Sequence, residues 1–132
     1  MAQPTFFTLQ QVTLNIQKVV NQVFKTGFWV KAEINKLNYY AHTGHCFPEL
    51  VEKNNGKVVA EMRSTIWNSD FSRINHNFQK TLGEPLKDGI TVLLFAMIDF
   101  HPTFGLTLKI SDIDASFTLG ELEREKQESI AK

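Results

Sequence analysis

The segment from residue 45 to residue 80 reads HCFPELVEKNNGKVVAEMRSTIWNSDFSRINHNFQK, and it decides the fold. Two apolar-rich runs, 45–52 and 57–67, flank Asn54-Asn55-Gly56, and Asn-Gly tolerates the positive φ angles of a tight hairpin turn. Pro48 is expected to mark a sheet edge or a bulge. Residues 68–80 carry apolar side chains at helical spacing behind an Asn or Ser cap, which predicts a helix of about three turns.

The flanking sequence supplies three more strands and two more helices. Residues 28–35 alternate between apolar and polar, and 90–100 and 106–112 are strands joined by a turn that contains Pro102. Thr8-Leu9-Gln10-Gln11 predicts a capping box at the start of a helix over about 9–25, which Gly27 should stop. Five strands with a helix between the third and fourth predict a Greek-key β-barrel of the OB-fold class, flanked by an N-terminal and a C-terminal helix.

Composition favours one intracellular domain. The 132 residues are 42% apolar, enough for a core of their own, and the longest apolar run is too short to cross a membrane. Fourteen basic and fourteen acidic side chains cancel, but residues 1–80 carry nine basic and five acidic groups (+4), and residues 81–132 carry five and nine (−4). Cys46 is the only cysteine and excludes an internal disulfide, which fits the reducing cytoplasm.

No residue pattern predicts catalysis within this chain. His42 and His45 are the only closely spaced histidines, a weak metal signal, so no metal or other cofactor is expected. Cys46 and its neighbour His45 point to opposite faces of a strand, so Cys46 is interpreted as a core residue. Asp112 and Asp114 are most simply interpreted as solvent-exposed carboxylates at the end of a strand.

Aromatic and basic residues mixed around the first three strands favour binding of a single nucleic-acid strand, whose bases stack on rings while phosphates meet Lys or Arg. Trp29, Phe47 and Trp67 are equally compatible with core packing. The predicted contact residues are Lys31, Lys36, Tyr39, Tyr40, His45 and Arg63.

The run Trp29-Val30-Lys31-Ala32-Glu33-Ile34-Asn35-Lys36-Leu37, followed by Thr43-Gly44-His45, resembles the N-terminal OB domain of the exonuclease VII large subunit. Met62-Arg63-Ser64, Phe100-His101-Pro102 and Leu119-Gly120-Glu121-Leu122-Glu123 extend the likeness over nearly the whole chain. The sequence departs from the family at Cys46-Phe47-Pro48 and Thr103-Phe104-Gly105.

The resemblance implies an OB-fold domain over residues 1–118 and, over 119–132, the start of a helix that leads to an absent catalytic domain. It implies a full-length enzyme that degrades single-stranded DNA into short oligonucleotides and assembles with small helical subunits. The first hypothesis is therefore a module that binds single-stranded DNA and feeds it to a nuclease domain. The alternatives are a scaffold domain that positions the nuclease or its small subunit, and an OB module for tRNA or an oligosaccharide.

Overall fold

The computed structural model describes residues 3–131, with side chains described up to residue 126. The elements along the chain are α1 (Leu9–Val23), β1 (Phe28–Lys36), β2 (Tyr39–Tyr40), β3 (His45–Cys46), β4 (Glu49–Asn54), β5 (Lys57–Thr65), α2 (Asn68–Leu82), β6 (Thr91–His101), β7 (Gly105–Ile113) and α3 (Ala115–Ala131). Five of the strands close a barrel in the order β1-β4-β5-β7-β6, so the predicted OB-fold architecture is confirmed.

Both predicted hairpins form, and non-local pairing closes the barrel. β4 pairs with β5 and β6 with β7, all antiparallel. Asn55 and Gly56 have φ angles of 53° and 78°, the positive values that a type I′ turn requires. β1 lies antiparallel to β6, and a short parallel contact between β5 and β7 completes the closure.

Pro48 splits the predicted strand 45–52 into β3 and β4 without changing its register. Ser64 donates its backbone N–H to the Pro48 carbonyl at 3.1 Å, but proline has no N–H to return. The pairs Cys46–Ile66 and Glu49–Arg63 follow one register on either side, so there is no bulge against β5 at this point. β3 also pairs with β2, so these two short strands form a separate two-stranded sheet.

The N-terminal helix begins as predicted and ends differently. The Thr8 side chain accepts from the Gln11 N–H, and the Gln11 side chain accepts from the Thr8 N–H, which confirms the capping box. The helix ends at Val23 with Phe24 as its C-cap, so Gly27 does not stop it. Gly27 instead packs closely against β6, because a Cβ there would lie 2.6 Å from the Phe95 ring and would force that ring to move.

The second helix packs its apolar side against the core of the barrel. Phe71, Ile74 and Phe78 are buried on α2, as the predicted spacing requires. The expected Asn or Ser cap is wrong: Trp67 is the N-cap residue and makes no side-chain cap bond.

The third helix starts at Ala115, four residues before the predicted 119, because Asp114 Oδ1 accepts from the backbone N–H groups of Ser116 and Phe117. None of the helices within the described residues is long and apolar enough to cross a membrane.

Candidate nucleic-acid interface

One side of the barrel carries an open groove of about 1470 Å³. It is lined by residues of β4 and β5, of the segment that precedes β4, and of β6, β7 and the turn between them. β4 and β5 are the second and third barrel strands, and OB-folds bind their ligands on these strands between the two adjoining loops. The groove therefore occupies the ligand-binding position of the fold.

Four rings, which we call the aromatic row, follow one another at the groove: Tyr40, Phe47, His45 and Trp67. The ring centroids are 5.5 Å apart for Tyr40 and Phe47, 6.5 Å for Phe47 and His45, and 4.8 Å for His45 and Trp67. Tyr40, Phe47 and Trp67 are 48%, 39% and 45% exposed. Phe47 and Trp67 thus do not fill the core, and their exposed surfaces are available to stack on planar ligand groups.

The β6–β7 turn places two further rings at the groove, those of His101 and Phe104. Phe104 is 76% exposed, and its ring centroid lies 4.7 Å from that of His101. The predicted site did not include either residue. The signal was present in the sequence, because a phenylalanine in a tight turn between two strands has no route to the core, and this turn borders the ligand position of an OB-fold.

The groove carries charges of both signs. Arg63 and Lys109 supply two cations, and Glu49, Glu61 and Asp99 supply three carboxylates. Within the described part of the chain, neither Arg63 nor Lys109 forms a salt bridge, so both are available to an anionic ligand. Glu49 is engaged, because its Oε2 accepts from Asn38 Nδ2 at 2.8 Å.

Three of the six predicted contact residues lie together. Tyr40 and Arg63 line the groove, and His45 stands between Phe47 and Trp67 in the aromatic row. Tyr40 and Arg63 come from segments more than 20 positions apart in the chain, and the pairing of β2 with β3 and of β4 with β5 brings them to one surface.

The other three lie elsewhere or at the margin. Lys31 points away from the groove, with Nζ 5.9 Å from the centre of the Phe117 ring on α3. Tyr39 stacks on Phe71 of α2 at 4.6 Å, because successive residues of β2 face opposite ways. Lys36 is exposed at the end of β1, where its backbone lies opposite that of Glu49 on β4. It does not line the groove.

His45 has a structural role besides its place in the row. Its Nδ1 accepts from the Asn68 backbone N–H at 3.1 Å, so it satisfies a donor at the start of α2 that the Trp67 side chain leaves free. The ring therefore couples the aromatic row to the first turn of α2.

We expect His45→Ala to lower the free energy of unfolding by about 1 kcal/mol, the usual cost of a lost N-cap acceptor. Urea denaturation of the two proteins measures this difference. The matched control is His42→Ala, since His42 is an exposed histidine in the turn that leads into β3. Equal stability of His45→Ala and His42→Ala would contradict the capping role.

The remaining candidate groups are structural. Cys46 is fully buried, as predicted, and burial raises the pKa of its thiol to about 12, although a backbone hydrogen bond from Phe47 lowers it. Its Sγ donates to the Leu37 carbonyl at 3.0 Å. Asp112 pairs with Arg73 at 3.1 Å, and Asp114 caps α3. Among the described residues, no three His, Cys, Asp or Glu side chains cluster as metal ligands would.

A closed five-stranded barrel with an aromatic groove on its second and third strands defines a ligand-binding module of the OB class. Residues 7–114 match the family described as OB-fold nucleic acid binding domain, and the chain belongs to that family. It is also similar to the exodeoxyribonuclease 7 large subunit of Deinococcus radiodurans, with 30% identity over 96% of this chain and 32% of that protein. The chain thus spans about a third of the length of this curated relative, and the sequence resemblance to the exonuclease VII large subunit is confirmed.

Among solved structures, the chain is similar to the mitochondrial single-stranded DNA-binding protein of S. cerevisiae. The TM-score is 0.43 at 18% identity, and the match covers 69% of this chain and 92% of the other.

Proposed function

We propose that this chain is the single-stranded DNA-binding module of an exodeoxyribonuclease VII large subunit. It holds a single strand in the groove and presents that strand to a separate nuclease domain, which cuts it into short oligonucleotides. The observation that carries the proposal is the exposed aromatic row, which borders the groove at the ligand position of the fold.

A single strand suits this groove better than a duplex does. Bases in a duplex are stacked on one another, so their faces cannot reach protein rings, whereas a single strand offers each face in turn. Tyr40, Phe47 and Trp67 are spaced as neighbours along one side, and Phe104 supports contact from the β6–β7 turn. Each stack contributes about 1–3 kcal/mol, so two or three stacks suffice for binding without a strongly basic surface.

The charges favour binding with few phosphate contacts. Arg63 and Lys109 can each neutralise one phosphate, while the neighbouring carboxylates repel a closely packed backbone. With two such contacts, the logarithm of the binding constant should fall against the logarithm of salt concentration with a slope of about −1.4. Stacking then supplies most of the affinity.

Hydrolysis is assigned to the part of the full-length protein that this chain does not include. Among the residues that line the groove, no nucleophilic side chain is hydrogen-bonded to a side chain that could act as its general base. In this proposal the groove residues position the strand and do not cut it. In this proposal the full-length subunit works in the cytoplasm, with the small subunit of exonuclease VII as its protein partner. This chain needs no cofactor for strand binding.

We expect Arg63→Ala to weaken the binding of oligo-dT by roughly 3- to 10-fold at low salt, and to reduce the salt slope by about 0.7, because one phosphate contact is lost. Fluorescence anisotropy at a series of salt concentrations measures both quantities. Lys31→Ala is the matched control, since it removes the same charge beside Phe117 and away from the groove.

Two results would overturn the proposal. Undetectable binding of oligo-dT at low salt would leave the scaffold role, in which the domain positions the nuclease or its small subunit. Equal losses in Lys31→Ala and Arg63→Ala would mean that overall charge, and not this groove, attracts the strand. Competition with RNA and oligosaccharide ligands separates the remaining OB-fold functions.

A further inference from the structure

The loop that joins β2 to β3 is docked on the first turn of α2. Asn68 is the first residue of that helix, and its Nδ2 donates to the Thr43 carbonyl at 3.4 Å. The backbone N–H of Asn68 donates to His45 Nδ1 at the end of the loop. Before the loop, Tyr39 stacks on Phe71 of the same helix. Contacts with α2 therefore fasten the loop and both of its short strands.

Gly44 permits this close docking. Its φ is 77°, and a Cβ built on it would lie 2.9 Å from the Cβ of Asn68, closer than real Cβ atoms approach their neighbours. The Cβ of Asn68 is fixed to the helix backbone, so a side chain at position 44 would move the loop or the start of α2. The Gly44 N–H also donates to the Tyr40 carbonyl at 2.8 Å, which folds the loop back on β2.

The two docked segments carry rings of the aromatic row. Tyr40 and His45 lie in the strands that the loop joins, and Trp67 directly precedes Asn68. The 4.8 Å between the His45 and Trp67 ring centroids is therefore a distance across the docking contact. A shift of the loop relative to α2 would change it, although neither Gly44 nor Asn68 lines the groove.

We propose that Gly44 and Asn68 are positioning residues, which set the spacing of the aromatic row through their mutual contact and do not touch the strand. For strand binding, this inference rests on the proposed function. The pairing of β2 with β3 comprises two residue pairs, and so short a hairpin is not stable without packing on another element. Docking on α2 holds the rings in order before the strand arrives, which lowers the entropy cost of binding.

Alanine at Gly44 tests the contact. We expect Gly44→Ala to weaken the binding of oligo-dT about tenfold, within the range for one lost stack. Gly83→Ala is the matched control: Gly83 ends the same helix with a φ of 75°, and a Cβ there would have no atom within 4 Å. Both variants meet the same backbone strain, so their urea midpoints should fall alike, but Gly83→Ala should bind within about twofold of the wild type.

Asn68→Ala is a second variant, and it carries the test if Gly44→Ala does not fold. It removes the side-chain bond to the loop and keeps the backbone donor, so oligo-dT binding should weaken about 2- to 10-fold. The loss should be smaller in a Tyr40→Ala background, which lacks a ring that Asn68 positions, and undiminished in a Phe104→Ala background. Ser69→Ala, at an exposed position of the same turn, should bind like the wild type.

Nuclear Overhauser effects between rings give a measurement that needs no DNA. The wild type should show them between His45 and Trp67, Gly83→Ala should keep them, and Gly44→Ala should lose them. A wild-type chain that does not bind oligo-dT would refute the proposed function, while these signals would still decide the positioning role. Unchanged signals in Gly44→Ala, or equal affinities of Gly44→Ala and Gly83→Ala for oligo-dT, would overturn the inference.

Discussion

Replacing Trp67 with alanine is expected to weaken the binding of oligo-dT by about 5- to 150-fold, which corresponds to the loss of one stack worth about 1–3 kcal/mol. Trp67 is 45% exposed at the end of the aromatic row, and its ring lies at 84° to the His45 ring with centroids 4.8 Å apart, so the two rings do not stack face to face. Fluorescence anisotropy with labelled oligo-dT measures the change. Combined with Phe47→Ala, the loss should grow further, because both rings belong to the aromatic row.

The matched control is the other tryptophan of the chain. Trp29 is 50% exposed and packs against Phe95 at 5.3 Å on β1 and β6, outside the groove. Trp29→Ala removes the same side chain at nearly the same exposure, so it should leave oligo-dT binding within about twofold of the wild type. A loss in Trp29→Ala as large as that in Trp67→Ala would place the strand on another face of the barrel.

The element order of the barrel could be predicted because its signals are local. The Asn55-Gly56 turn, the Thr8 capping box and the spacing of Phe71, Ile74 and Phe78 each lie within a few residues of the structure they specify. The start of α2 at residue 68 was predicted correctly, but the residue that caps it was not, because a distant side chain supplies the cap. The α2 cap comes from His45, 23 positions away, and no local pattern announces it.

The position of a side chain around the barrel could not be predicted from alternation. Lys31 and Arg63 are both outward-facing strand residues, yet one contacts α3 and the other lines the groove. A period of two distinguishes inside from outside, whereas pairing between distant strands decides which side of a closed barrel a residue occupies.

Alternation could have assigned Phe47 and Trp67 to the surface. Cys46 was predicted to be buried, and its neighbour Phe47 must then point outward. Ser64 and Ile66 are both buried, so Trp67 at the end of the same run faces out as well. The aliphatic residues of α1 are the opposite case, because amphipathic spacing predicts a helix but not that Leu9, Ile16 and Val23 remain exposed.

Phe78→Ala is expected to lower the free energy of unfolding by about 3–5 kcal/mol, a large share of the total stability of a domain of this size. Phe78 is 1% exposed and packs on the core cluster from α2, where truncation would leave a cavity that the closed barrel cannot fill by moving its strands. Urea denaturation should show a lower midpoint with an unchanged slope. If the alanine variant does not fold, Phe78→Leu, which keeps most of the volume, should still cost roughly 1 kcal/mol.

Phe104→Ala is the matched control for this prediction, because it removes the same side chain at 76% exposure. Its free energy of unfolding should stay within about 0.5 kcal/mol of the wild type, while oligo-dT binding weakens. Phe78 and Phe104 would then separate the two roles of phenylalanine in this chain, since one supports the barrel and the other serves the ligand. A loss of stability in Phe104→Ala as large as in Phe78→Ala would show that the β6–β7 turn belongs to the core, and its place in the groove would have to be abandoned.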